Sequence, residues 1–239
     1  MKIMVKIVID AGHGYNTPGK RTPDGSLREW EFNSAVASLV EKELKNYENV
    51  QVLRVDDITG NTDVSLKTRT DKANAWKANV YVSIHANAAG SGWSSAEGIE
   101  TFVYKTRPKE AVQLAAHVQN HLIRETGRKN RGVKAADFHV LRETKMTAIL
   151  CECGFMTNIE EASLLKSDSY RKKCAEAIVQ GLVEHYKLKK KAAAKPAPAK
   201  PAASNQKVYR VQVGAFADRK NAERLAEELK KKGYTVVIV

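Results

Sequence analysis

Short apolar runs and longer amphipathic stretches alternate along the first 186 residues of the chain. The runs cover residues 4–10, 50–55, 80–85, 99–104 and 148–153, and most are rich in Val and Ile. Apolar character packed into so few positions predicts strands of a largely buried sheet. Between the runs, residues 31–46, 66–76, 109–126 and 170–186 repeat their apolar positions at helical spacing. In the first of these, Ala35, Val36, Leu39, Val40 and Leu44 form one continuous stripe. The alternation predicts an α/β fold, a twisted and mostly parallel sheet flanked by helices.

Past residue 186 the pattern breaks. "KKKAAAKPAPAKPAASNQ", residues 189–206, holds no run that could build a core, and its Pro and Ala favour an extended, semi-rigid spacer. Periodicity then resumes. "VYRVQVGAF" alternates like a strand, and "DRKNAERLAEELKKKG" follows with Asp218 as a start signal, Ala222, Leu225, Ala226 and Leu229 as a stripe, and Gly233 as a stop. "YTVVIV" reads as a second strand. The expected organisation is a large domain over residues 1–186, a linker over 187–206 and a small β-α-β module over 207–239, the last too short to be comfortably stable alone.

Charge sharpens this division. The chain carries a net charge of +13, but residues 187–206 hold six lysines and no acids, and residues 207–239 hold eight basic and four acidic side chains. Those two segments account for +10, which leaves +3 on the first 186 residues. A basic linker and tail suit an anionic polymer such as a membrane surface or an acidic cell-wall polymer. Nucleic acid is not expected, because apart from Tyr209 and Phe216, and Tyr234 near the end, no aromatic side chains are interleaved with the basic positions as stacking platforms. No apolar stretch is long enough to span a bilayer. "MKIMVKIVIDAG" has neither the apolar core nor the cleavage site of a secretory signal, so synthesis in the cytoplasm and escape by cell lysis or a phage holin are expected. Three cysteines are too few for a disulfide framework.

Candidate chemistry gathers at strand ends. "KIVID" leads to His13, held between Gly12 and Gly14, and "VYVSI" leads to His85. In an open α/β sheet, sites assemble at the carboxyl ends of strands, so two parallel strands would bring both imidazoles to one edge. "AILCECGF" brings Glu152 to the same kind of position. By period two, Cys151 and Cys153 point away from Glu152 and read as small buried apolar residues. Two imidazoles with a carboxylate would suit a catalytic zinc, and Asp10, Asp24, Glu29 and Glu31 are the nearby acidic candidates. His117 and His121 stand four apart on a predicted helix, but Val118 occupies the place of the zincin glutamate, so they and His185 read as exposed or packed helix histidines. "GHGYNTPG" fails the dinucleotide fingerprint at Thr17, and neither a Walker lysine pattern nor a G-x-S-x-G elbow is present.

"IDAGHG", "SLREWEFN", "VSLKTRTDKAN", "VSIHAN", "FHVLRETKMTAILCECGFMTN" and the closing helix occur in an order that resembles the zinc-dependent N-acetylmuramoyl-L-alanine amidases of the amidase 3 family, especially sporulation-associated and phage-type lytic enzymes. The resemblance implies one zinc on His13, Glu29 and His85, with Glu152 as general base and then general acid in cleaving the bond between the muramoyl lactyl group and L-alanine of peptidoglycan. It also implies that His139 and Asn158 lie near the stem peptide, and that no inhibitory helix follows residues 99–104. Tyr15 stands where the family often has glycine, and Thr147 where proline is common. The tail resembles one β-α-β half of a SPOR module, a peptidoglycan binder. The rival readings are a zinc peptidase or deacetylase acting on another bond of the same polymer, or a wall-binding protein without activity. Tyr15 to Lys20 reads equally as substrate contact or as plain surface.

Overall fold

The computed structural model describes residues 4–192 and 211–238. The chain divides into two compact units, Met1–Ala192 and Ala193–Val239. In the first, six strands form one sheet: β1 (Val5–Ala11), β2 (Val50–Arg54), β3 (Val80–Asn87), β4 (Ile99–Tyr104), β5 (Asn130–Ala136) and β6 (Thr147–Phe155), in the order β2-β1-β3-β6-β4-β5. Every neighbouring pair is parallel except β4 against β6. The mostly parallel sheet expected from the run pattern is therefore present, with β4 and β5 as an inverted edge.

Strand alternation sorts the two faces. Ile7, Ile9, Val80, Val82, Ile84, Ile149, Cys151 and Cys153 pack against α1 (Glu29–Leu44), α3 (Lys109–Thr126) and α6 (Asp168–Tyr186) in the larger core. Val8, Tyr81, Ala148 and Leu150 face α2 (Leu66–Ala75) and α4 (His139–Arg142) in a smaller one. The cysteines are buried and free, on the face opposite Glu152. Residues two apart share a face, so Asp10, Ser83, His85 and Glu152 all belong to the α2/α4 side.

Three elements depart from the periodicity. β5 was not expected, because "NRGVKAA" is polar and half exposed at the sheet edge. α4 has only four residues, too few to establish a period. α5 (Ile159–Lys166) begins where the Asn158 side chain accepts a hydrogen bond from Glu161 N at 3.1 Å. The start of the basic segment also docks on this unit. Lys190 bridges Tyr47, and Lys191 N donates to Asn46 O at 2.7 Å.

In the second unit α7 (Arg219–Lys231) forms as expected, and Asp218 caps it by accepting from Lys220 N at 2.9 Å. The flanking strands of the expected β-α-β module are a correction. Residues 211–216 and 234–238 carry no strand pairing, and residues 208–210 and 239 of the expected strands lie outside the described residues, as do residues 193–206 of the expected linker. An alternating segment becomes a strand only when a neighbour takes up its backbone hydrogen bonds. Val211, Val213, Tyr234 and Val237 accordingly stay exposed.

Candidate metal and hydrolytic site

β1 ends at Ala11, and the chain turns over β3 through a Gly12 N–H to Ile84 C=O bond of 3.0 Å. A Cβ on Gly12 would stand 2.1 Å from His85 Cε1, so only glycine lets the loop pass so close to that ring. His13 follows in the left-handed region, φ 66°, a conformation that costs free energy for any side chain with a Cβ. Arg69 holds it there. This guanidinium, 1% exposed, donates to Asp10 Oδ1 and Ala11 O at 2.5 Å each, to Val64 O at 2.8 Å and to His13 O at 3.1 Å. Asp10 is fixed in turn by the Ser83 hydroxyl at 2.8 Å.

Glu29 opens α1 and turns inward. Its Oε1 accepts from Asn33 Nδ2 at 3.3 Å and from Ala86 N at 3.3 Å, and it stands 2.9 Å from His85 Nδ1. Its Oε2 is 3.2 Å from His13 Nε2, which is buried without a hydrogen-bond partner. Burial alone would push the Glu29 carboxyl up, but the His13 and His85 contacts outweigh it and hold the group well below the usual carboxylate range. Burial opposes protonation of His85, and its contact with Glu29 prevails and raises it. The two imidazole rings meet edge to face, with centroids 5.0 Å apart. One ligand atom from each of His13, Glu29 and His85 lies within 4.8 Å of the others, and among the described residues no second group of this kind occurs.

β6 supplies the remaining carboxylate. Glu152 pairs in register with His85 across the β3–β6 ladder and with Glu100 across the antiparallel β4–β6 ladder. Beyond it the register slips by one residue, at Gly154 with φ 134°, and the strand ends in a bulge beside the site. Glu152 Oε2 is buried and unpartnered. Burial pushes its pKa up to about 8, Glu29 and Glu100 adding to the rise while His85 and Lys20 oppose it. Glu100 itself is held ionised by ion pairs with Arg131 at 2.6 Å and Lys134 at 2.5 Å.

A cleft of about 490 Å³ joins these groups. His13, His85, Glu152 and Lys20 line it together with Leu66, Phe138, His139 and Val140. His139 thus borders the cleft, its Nε2 3.4 Å from the Thr70 hydroxyl. Asn158 does not line it, and its side chain is engaged as the cap of α5. His117 and His121 sit on α3, near Glu184 of α6 at 3.8 and 2.8 Å, apart from the cleft. Arg69 and Asn33 were not singled out by the sequence, although they fall within "VSLKTRTDKAN" and "SLREWEFN", and Lys20 ends the stretch Tyr15 to Lys20 that the sequence left open between substrate contact and plain surface.

The profile of the amidase 3 family, described as N-acetylmuramoyl-L-alanine amidase, matches residues 7–184. The chain belongs to that family. A SPOR-domain profile matches residues 187–239. The amidase CwlM of Bacillus licheniformis is 34% identical over 238 residues, 99% of this chain and 85% of that protein. The sporulation-specific amidase of Bacillus subtilis (strain 168) is 34% identical over 237 residues, with the same two coverages. Among solved structures, an N-acetylmuramoyl-L-alanine amidase from Clostridium difficile 630 superposes with a TM-score of 0.73 at 34% identity, covering 78% of this chain and 98% of that one. The enzyme is an amidase that hydrolyses the bond between the muramoyl lactyl group and L-alanine of peptidoglycan, and it acts at the cell wall. Among the described residues no helix is long and apolar enough to cross a membrane.

Proposed function

We propose that this amidase works with one zinc ion held by His13, Glu29 and His85, and that Glu152 moves the protons. The carrying observation is the gathering of two imidazoles and a carboxylate within 4.8 Å, beside a buried carboxylate that ligates nothing. The donor set fits zinc: two neutral nitrogens and one anionic oxygen leave a coordination position open, as catalytic zinc requires. The unpartnered His13 Nε2 and the narrow passage at Gly12 fit the same reading. When bound, zinc supplies Lewis acidity that polarises the scissile carbonyl and makes an adjacent water more acidic.

The protein's own groups do the rest. Arg69 and Asp10 hold the His13 loop, and Asn33 orients Glu29. Glu152 accepts a proton from the attacking water as its oxygen bonds to the carbonyl carbon, and returns it to the amide nitrogen as the C–N bond breaks. The apolar lining of the cleft, Leu66, Phe138 and Val140 with His139 beside them, receives the stem peptide. Residues 1–186 are the catalytic domain in this reading, and residues 207–239 hold the enzyme on the wall. The basic segment 187–206 adds contact with anionic wall polymers, and release from the cell follows lysis or a holin.

The test is elemental analysis coupled to digestion of defined peptidoglycan. About one zinc per chain is expected, lost in His85→Ala. Chelation should stop digestion and zinc restore it, with new L-alanine amino termini and no new reducing sugars. A metal-free preparation that still digests walls at full rate overturns the metal assignment, and release of free D-amino acids would favour a peptidase. Gly12→Ala provides a geometric check. Its Cβ displaces the His85 ring, and zinc affinity measured by competition with a chelator should fall about 10- to 100-fold.

A further inference from the structure

We propose that Lys20 is a further catalytic residue of this amidase, its ammonium group stabilising the negative charge that develops on the scissile carbonyl oxygen. The assignment rests on the site described above. Lys20 is no freely placed surface lysine. Its carbonyl accepts the Glu29 N–H at 2.9 Å, and the next pair inward, Arg21 and Arg28, forms an antiparallel bridge. The hairpin is closed by Thr22 and Leu27, through Thr22 N to Leu27 O at 2.9 Å and Leu27 N to Thr22 Oγ1 at 3.0 Å. Lys20 therefore stands directly across from Glu29, and the turn that presents one presents the other.

The Lys20 side chain, 45% exposed, lines the cleft beside His13, His85 and Glu152. Its Nζ is 3.9 Å from Glu29 Oε2, too far for a hydrogen bond. The cleft's other permanent cation is Arg69, whose donors are committed to Asp10, Ala11 O, His13 O and Val64 O. Lys20 is thus the permanent cation of the cleft with donors to spare.

The chemistry needs such a group. When water adds to the amide carbon, Glu152 takes its proton and the C=O π electrons move onto oxygen, so the negative charge passes from the Glu152 carboxylate to a new oxyanion, with Glu29 still charged beside it. That charge returns to the C=O bond when the C–N bond breaks and the amine leaves with the proton from Glu152. A cation positioned before the reaction lowers the cost of the charge-separated stage and contributes little to the neutral amide. A plain counter-ion for Glu29, or an anchor for a carboxylate of the peptide, would act on the ground state as well.

The experiment compares wild type with Lys20→Met and Lys20→Arg in the full-length, zinc-loaded chain. Zinc content and melting temperature are read first, then kcat and KM on a disaccharide-peptide. Two binding probes follow: a phosphinate mimic of the tetrahedral adduct, and the intact disaccharide-peptide bound to each form in a Glu152→Gln background. For Lys20→Met, kcat is expected to fall by about 100-fold or more, and the phosphinate Kd to rise comparably, as for loss of one oxyanion donor. KM, intact-substrate Kd and zinc content should each stay within about threefold of wild type, and Lys20→Arg should recover part of kcat. Equal weakening of both probes makes Lys20 a substrate anchor and overturns the proposal. Loss of zinc or of melting temperature makes it structural and overturns it too, as does an unchanged kcat. Failure of the zinc reading itself is recognised separately, because the wild-type chain would then digest walls without zinc.

Discussion

Glu152→Gln leaves a folded protein with its full metal content and lowers kcat by about 10³- to 10⁴-fold, the upper range for loss of a proton-transferring side chain. Glutamine matches the volume of the buried carboxyl but cannot take a proton from water. The residue stands outside the group of His13, Glu29 and His85, so zinc content is the discriminating control. Turnover within tenfold of wild type would remove Glu152 from the mechanism. Metal-free protein provides a second readout. There, burial first, and the charges of Glu29 and Glu100 next, hold the Glu152 pKa at about 8 against an ordinary 4.5. The folded chain then binds more proton than the unfolded one between those values, so this group's contribution to stability falls as pH rises through the window. Chelated Glu152→Gln should therefore melt above chelated wild type at pH 8 and match it near pH 4. Equal melting curves at both values would mean the carboxyl is not confined as its burial indicates.

Arg69→Met should be the most destabilising single change in the catalytic unit, by about 3–5 kcal/mol, because it strands the Asp10 carboxylate in a buried setting. For a chain of this size that corresponds to a melting point roughly 6–20 °C lower. Zinc affinity should fall with it, since the His13 carbonyl loses the donor that pins its left-handed backbone. Arg69→Lys should not rescue the protein. A single ammonium lacks the planar fork by which the guanidinium reaches Asp10, Ala11 O, Val64 O and His13 O together. The double change Arg69→Met with Asp10→Leu removes both charges and should regain part of the melting temperature without regaining zinc. If zinc affinity stays at wild type in either variant, the pair serves the fold alone.

The run pattern carried the sheet far because β1, β3 and β6 are central and buried on both faces, where sequence has to be apolar. β5 and α4 were invisible for the opposite reason. An edge strand and a four-residue helix are held by neighbours more than by their own residues. At the site, strand ends and period two were enough to place His13, His85 and Glu152 on one edge. They were not enough to choose among the acids, and the structure explains why. Asp10 is consumed by Arg69, Asp24 turns to Ser26 at the hairpin tip, and Glu31 accepts from the backbone of Arg28 at the start of its own helix. Each competitor is engaged by a partner no spacing rule could foresee, and Glu29 alone is left facing the imidazoles. Asn158 shows the same limit from the other side, since a cap and a substrate contact call for the same residue type.

The pairing of His85 with Glu152 across adjacent strands also has a consequence for errors in synthesis and folding. A slip of β6 by one residue would turn Ile149, Cys151 and Cys153 toward the cleft and bury a carboxylate in the core that holds Val82, Ile178 and Val179. A misassembled molecule would therefore be poorly folded before it could be wrongly active. For an enzyme that cuts peptidoglycan, such a failure is a safe one: a chain that misses its register has no assembled site to turn on the polymer.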